Sequence, residues 1–391
     1  MGLTSDKVLA LTVAAALGLF VGTVWLWPRL ARRGPRAVAG RVGLLLATQL
    51  TLFAAVGLVA NQAFGFYASW ADLFGQEDDQ GVVVDHTPGK GPLEVVDTRR
   101  VPGAASARPA LGGQIQKIRV VGRTSHIATP AYVYLPPEYF QPQYRGRTFP
   151  AAVVLTGYPG TAEALVDKLD YPRTAARLVA DGRMEPMVLV MMRPTVAPPR
   201  DTECVDIPGG PQTETFFAAD LPEAVSGHYR VRDGASDRRS GSGGGWGIIG
   251  DSTGGYCALK LAMHHPGVYG AGAGLSAYYK APIDATTGDL FHGDAELRNR
   301  ANLWWYLKHM PAPDTSLLVS SSKVGESNYN DTLKFIERVK ANGRTAISSI
   351  ILESGGHNFN TWRREIPGTL EWMSGRLGGP SDGGSRGSRV F

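Results

Sequence analysis

The sequence predicts an α/β chain: a mostly parallel sheet covered by helices on both faces, preceded by an N-terminal pair of apolar helices. Three observations carry this. From residue 114 onward, apolar runs of strand length alternate with helical patterns, as happens when helical crossovers join parallel strands. Two stretches near the N-terminus have the length and apolarity of a bilayer span. A Gly-x-Ser-x-Gly pentapeptide falls between a strand pattern and a helix pattern.

The apolar stretches are "VLALTVAAALGLFVGTVWLW" (Val8 to Trp27) and "VGLLLATQLTLFAAVGLVA" (Val42 to Ala60), and together they predict a transmembrane hairpin over residues 1–70. The loop between them carries Arg29, Arg32, Arg33, Arg36 and Arg41 without an acid. By the positive-inside rule this loop is cytoplasmic, so everything beyond about Trp70 is extracellular, anchored to the cell membrane. A signal peptide is the competing reading of the first stretch. It requires a basic region ahead of the apolar run, whereas here Lys7 is balanced by Asp6. Residues 71–113, rich in Gly, Pro and charge, read as a tether. Residues 378–391 read as a disordered tail.

Residues 114–377 form the predicted catalytic domain. "QIQKIRVVG" and "PAYVYLPPEYF" are an opening antiparallel pair, being rich in β-branched and aromatic residues around a short polar turn. "FPAAVVLTG", "MVLVMMRP", "GWGIIG", "YGAGAGLSA", "TSLLVSSS" and "AISSIILES" follow as buried strands. Between them lie the helices "AEALVDKLD", "TAARLVADG", "ETFFAADLPEAVSGHY", "GYCALKLAMHH" and "YNDTLKFIERVKANG". The last of these has Gly343 in the place of a C-terminal cap.

The net charge of +5 and pI near 9.1 reflect in part the arginine-rich N-terminal loop. No basic stretch interleaved with aromatics appears in the main body, which excludes a nucleic-acid module. The eight histidines are scattered and the two cysteines lack a second ligand at finger-like spacing, so neither a metal nor a cofactor is expected. Outside the cytoplasm Cys204 and Cys257 suit a disulfide; two unpaired thiols are the alternative.

The pattern at Gly250, Ser252 and Gly254 has a second match in the tail at Ser385, where no strand precedes and no helix follows. Only Ser252 has the strand-turn-helix context that lifts a hydroxyl out at the carboxyl edge of a sheet. A serine needs a base. His264 and His265 sit at the far end of the following helix, whereas His357 in "ESGGHNFNTW" lies just beyond the last strand, at the edge where Ser252 emerges. For the acid, the loop after the penultimate strand offers Glu326 and Asp331. Glu326 is preferred because an acid at Asp331 already suits the start of the next helix. The backbone N–H groups of Thr253 and of Tyr158, in "LTGYPG", are the expected oxyanion donors. "ANLWWYLKHM", with Trp304 and Trp305, reads as a packed helix or as an aromatic groove wall.

With these residues in hand, the chain resembles the branch of the α/β-hydrolases that contains esterase D and the antigen 85 mycolyltransferases. The likeness runs from about Gln114 to Leu377. "AYVYLPPEYF" is similar to the opening strand, "LTGYPG" to the oxyanion loop and "ETFFAADLPEAVSGHYRV" to the helix before the nucleophile strand. "GDSTGGYCALKLAMHHPGVYGAGAGLSA" is similar to the elbow with its helix and next strand, and "GGHNFNTW" to the histidine loop. The resemblance implies an α/β-hydrolase fold, a Ser252, Glu326 and His357 triad, and an acyl-ester substrate taken from an envelope lipid or glycan. Asp251 departs from it, standing where an uncharged residue is common. Acyl transfer to a glycan or lipid hydroxyl, and ligand binding without catalysis, are the competing functions.

Overall fold

The computed structural model describes residues 6–31, 34–64, 91–104, 106–198, 200–232, 245–378 and 381–382. The chain divides into two units, Met1–Val82 and Val83–Phe391. In the first, helices α1 (Asp6–Leu30) and α2 (Pro35–Phe64) contain apolar segments of 24 and 27 residues with mean hydropathy 2.2 and 2.1. At about 1.5 Å per residue either segment exceeds the ~30 Å of a bilayer core. Leu17, Phe20, Trp25 and Phe53 point outward and are exposed. Thr23 and Thr48 join the two helices by a hydroxyl hydrogen bond of 3.0 Å. Arg32 and Arg33 of the basic loop, and residues 71–90 of the expected tether, lie outside the described residues.

The second unit is built on a nine-stranded sheet in the order β1-β2-β3-β6-β5-β7-β8-β9-β10. The strands are β1 (Leu93–Arg99), β2 (Gln114–Val121), β3 (Ala128–Leu135), β5 (Ala151–Leu155), β6 (Val188–Met192), β7 (Trp246–Asp251), β8 (Tyr269–Leu275), β9 (Ser316–Val324) and β10 (Ala346–Ser354). The short β4 (Arg147–Thr148) stands outside this sheet. Strands β1, β2, β3 and β6 pair antiparallel in turn, and all pairs from β6 to β10 are parallel.

Two apolar clusters cover the two faces. Along β5, Ala151, Val153 and Leu155 enter one cluster while Ala152 and Val154 enter the other, as the two-residue period of a strand requires. The first face is covered by α5 (Leu221–His228), α6 (Thr253–His264), α8 (Leu303–His309) and α9 (Tyr329–Asn342). The short α7 (Ala295–Arg300) precedes α8. The second face is covered by α3 (Ala162–Asp167), α4 (Tyr171–Ala180) and α10 (Phe359–Leu377). Leu259 and Leu261 of α6 are fully buried, and burial of each such side chain contributes about 1.5–3 kcal/mol. A helix enclosed this tightly holds the residue at its start in place.

Two expectations need correction. Residues 93–113, expected in the tether, belong to the domain: β1 runs antiparallel to β2 from Leu93 opposite Val120 to Arg99 opposite Ile115. Its backbone groups are satisfied by the ladder, yet among its side chains only Leu93 is buried. An edge strand of this kind leaves almost no apolar pattern to read. The tail is ordered at one point, where β11 (Ser381–Asp382) pairs antiparallel with β4. Residues 383–391 lie outside the described residues.

Candidate active site

The loops that leave β7, β9 and β10 at their carboxyl ends converge on one corner of the sheet. Ser252 turns the chain from β7 into α6 with φ 54 and ψ −120, a region that costs a non-glycine residue about 1–3 kcal/mol. The surroundings hold it there. Its N–H donates to the Leu275 carbonyl at 2.9 Å, and its own carbonyl accepts the Tyr256 N–H at 3.0 Å. The hydroxyl is thereby presented outward, 2.8 Å from Nε2 of His357.

His357 follows Gly355 and Gly356 beyond β10, and Asn358 next to it caps α10 by accepting from the N–H groups of Asn360 and Thr361 at 3.0 and 3.2 Å. Nδ1 of His357 lies 3.9 Å from Oε1 of Glu326, an ion-pair separation longer than a hydrogen bond. Gly325 is what lets the acid's loop approach: its φ is +101, and a Cβ there would stand 2.3 Å from the Gly355 carbonyl oxygen. Desolvation lowers the imidazole pKa, with Glu326 working in the opposite direction, so the ring is neutral and able to accept a proton near pH 7.

The Glu326 side chain is 1% exposed. Its carboxylate accepts the Ser322 N–H at 3.0 Å and the Ser276 hydroxyl, and Ser276 Oγ in turn accepts Nε1–H of Trp362 at 2.8 Å. The same indole stands edge-on to His357 with ring centroids 5.2 Å apart. Asp331 instead faces solvent in the first turn of α9 and pairs with Lys334 at 3.3 Å. His264 and His265 are distant from this corner and bind Glu214 at 2.9 and 2.8 Å.

The loop after β5 closes the other side. Gly157 packs so tightly that a Cβ there would lie 2.8 Å from Cβ of Ser252, which brings the following residue, Tyr158, beside the nucleophile. Thr253 opens α6, and a first-turn N–H has no acceptor within its own helix. Both expected oxyanion donors thus border Ser252.

A buried polar group backs Thr253. Its hydroxyl lies 3.4 Å from Oδ2 of Asp201 and 3.1 Å from the Tyr278 hydroxyl, which reaches Glu203 at 2.6 Å. Burial pushes Asp201 up to about 6, and burial together with the nearby Asp201 carboxyl holds Glu203 well above its ordinary value. The loop carrying them is joined to α6 by a disulfide between Cys204 and Cys257, with Cα atoms 5.7 Å apart. Trp304 packs on Tyr279 and Phe335, while Trp305 stacks on His309.

Ser276, Trp362, Asp201, Glu203 and Tyr278 were not expected at the site. The sequence marks Trp362 in the histidine loop, Ser276 at the end of a strand, and, near the mouth of the site, the loop "RPTVAPPRDTECVDIPGG" bearing Asp201 and Glu203, which follows a strand at the carboxyl edge. Trp362 and Ser276 carry no chemistry until the fold brings Ser276 between Trp362 and Glu326.

A hydroxyl on a strained strand-to-helix turn, with a histidine at hydrogen-bond distance and a buried acid behind it, on this sheet, defines the serine hydrolases of the α/β-hydrolase fold. The family model described as "Putative esterase" matches residues 127–373, more than half of the chain. The chain belongs to this esterase family. An S-formylglutathione hydrolase from Agrobacterium tumefaciens superimposes with a TM-score of 0.55 at 15% identity, over 73% of this chain and 100% of that one. A ferulic acid esterase does so with 0.56 at 16%, over 68% and 98%. FphF, a fluorophosphonate-binding serine hydrolase of Staphylococcus aureus, does so with 0.52 at 15%, over 67% and 98%. These likenesses show a shared fold. An uncharacterised protein of Corynebacterium glutamicum is 25% identical over 259 residues, which span 64% of this chain and 58% of that relative's length.

Proposed function

We propose that the protein is a membrane-anchored serine esterase whose catalytic domain lies on the outer side of the membrane and acts through Ser252, His357 and Glu326. One observation carries the reading: the strained Ser252 aims its hydroxyl at Nε2 of His357 from 2.8 Å. A positive φ at a serine is retained where a function repays the strain.

In the proposed cycle Ser252 Oγ attacks the ester carbonyl carbon as His357 Nε2 takes the hydroxyl proton. The tetrahedral oxyanion is held by the N–H groups of Tyr158 and Thr253. Collapse expels the alcohol, which receives the proton from His357, and leaves an acyl group on Ser252. Water then gives its proton to His357, attacks the acyl carbon and releases the acid, with the proton returned to Ser252. Glu326 keeps the Nδ1 proton facing inward and stabilises the imidazolium. The 3.9 Å gap shortens when substrate excludes water, as catalytic contacts do on forming the complex.

Export is supported by the arginines between α1 and α2, which favour a cytoplasmic loop, and by the Cys204–Cys257 disulfide, which suits an oxidising compartment. The proposed division is an anchor over residues 1–70, a catalytic domain extending from β1 through α10, and a connecting segment between them. The anchor would hold the domain within reach of acyl esters of envelope lipids or glycans.

The test uses the full chain in detergent with p-nitrophenyl esters of increasing acyl length, beside Ser252→Ala and His357→Ala. Turnover by the native chain alone, with fluorophosphonate labelling lost in Ser252→Ala, is the expected result. A native chain no faster than Ser252→Ala, and unlabelled, sinks the reading.

A further inference from the structure

Asp251 has no part in the cycle above, yet it is fully buried directly before the nucleophile. Its Oδ2 accepts the N–H of Gly157 at 2.8 Å, spanning 94 residues of sequence to hold the loop after β5. The carbonyl of the same Gly157 is held from the other side, accepting the Thr156 hydroxyl at 2.5 Å and the Gly160 N–H at 2.7 Å. Both polar groups of Gly157 are therefore occupied. The peptide between Gly157 and Tyr158 is trans, the cis bond of this loop being Tyr158–Pro159. Across a trans peptide the N–H points opposite to the carbonyl. Fixing the Gly157 carbonyl thus fixes the direction of the Tyr158 N–H.

We propose that Asp251 and Thr156 are positioning residues that clamp Gly157 and so aim the Tyr158 N–H at the oxyanion formed on Ser252. This rests on the esterase reading above. A donor aimed in advance needs no reorganisation when the charge develops, which is where such groups have their effect. The tight seat of Gly157 against Ser252 leaves no room for the loop to find that direction by packing of a side chain. A buried acid in this position is otherwise unexplained: Oδ1 has no hydrogen-bond partner among the described residues, and burial pushes the carboxyl up to about 7. Its other titratable neighbours, Tyr171 of α4 and Glu365 of α10, also have an oxygen without a hydrogen-bond partner.

The experiment measures kcat and KM separately for Asp251→Ala, Asp251→Asn and Thr156→Val, each normalised by the end-point of fluorophosphonate labelling to the folded, nucleophile-bearing fraction. Asp251→Ala is expected to lose about 10²–10³-fold in kcat, the cost of one oxyanion donor, with KM within about threefold. Asp251→Asn keeps an oxygen acceptor for the Gly157 N–H and is expected to recover to within about tenfold of native kcat. Thr156→Val is expected to lower kcat about 10-fold or more with KM unmoved, and it reports on the clamp even where Asp251→Ala fails to fold. Native kcat in Thr156→Val, or an Asp251→Asn chain that is folded but as slow as Asp251→Ala, overturns the proposal. Turnover lost in Ser252→Ala alone leaves the esterase reading standing; turnover retained there removes that reading and this one with it.

Discussion

Helix α6 has a histidine-carboxylate pair at each end, and only one of them is built for proton transfer. At its start, His357 is half-exposed, and its two nitrogens face Ser252 Oγ and Glu326. At its end, the His264 ring is 3% exposed, with Nδ1 on Glu214 at 2.9 Å and Nε2 on the Arg300 carbonyl at 3.1 Å. Lys260, 1% exposed, fills the remaining oxygen of Glu214 at 2.6 Å. Burial opposes the charge on Glu214, but Lys260 and the two imidazoles outweigh it and hold the carboxyl well below its ordinary range. Both imidazole nitrogens of His264 face fixed acceptors, and the neutral ring donates its single N–H to one of them. The same side-chain types thus make a relay at one end and a brace at the other, according to whether a hydroxyl is strained toward the ring.

The largest expected effect separates the two histidines. His357→Ala lowers kcat by about 10⁴–10⁶-fold, the scale of losing a triad base, while His264→Ala leaves kcat per folded molecule within about threefold. Steady-state rates on a short-chain ester, with folding checked by circular dichroism, decide this. Comparable losses in both would erase the distinction between relay and brace.

The two acids sharpen it. Glu326→Gln is expected to reduce kcat about 10²–10⁴-fold with little change in Tm, because the Nδ1 proton and the imidazolium lose their partner. Glu214→Gln removes the partner of a buried ammonium, which costs about 3–5 kcal/mol of stability and shows in denaturant unfolding rather than in kcat. A Glu214→Gln chain as stable as the native one would contradict the bracing role.

The smallest effect is in the pH profiles. His357 must be neutral to accept the Ser252 proton, and its pKa is lowered from 6.5 by desolvation. The acid limb of kcat/KM therefore has its midpoint below 6.5, with activity rising with pH. His264 is likewise lowered from 6.5, chiefly by burial. Below that value the unfolded chain takes up the proton first, so the stability held by neutral His264 is complete above 6.5 and declines as pH falls toward the folded value. The Glu214 contribution is present above 4.5 and disappears at lower pH still. Tm measured from pH 8 to pH 2 should fall in that order, and a flat profile across this range would rule out both groups.

Much of the fold was legible because it is written locally. The apolar runs at Ala151–Leu155 and Val188–Met192 are buried on both faces, so strand and depth are visible together. The turn from Ile249 through Gly254 announces itself by composition, and His357 by its Gly-Gly loop after the last strand. Strand β1 did not, since one buried side chain in seven leaves no period. The brace around Glu214 did not either, because its members come from three separate segments.

By itself the sequence determined which residues turn, which are buried and which two helices have bilayer length, because periodicity and apolar content act over a few neighbouring residues. Only the tertiary structure decided that Glu326 lies near His357 while Asp331 faces solvent, that Ser276 and Trp362 hold the acid, and that Asp251 grips Gly157. Those outcomes depend on how loops from distant strands meet at one edge of the sheet, where a hydrogen bond of 2.8 Å is made or missed by ångström shifts that local pattern does not encode.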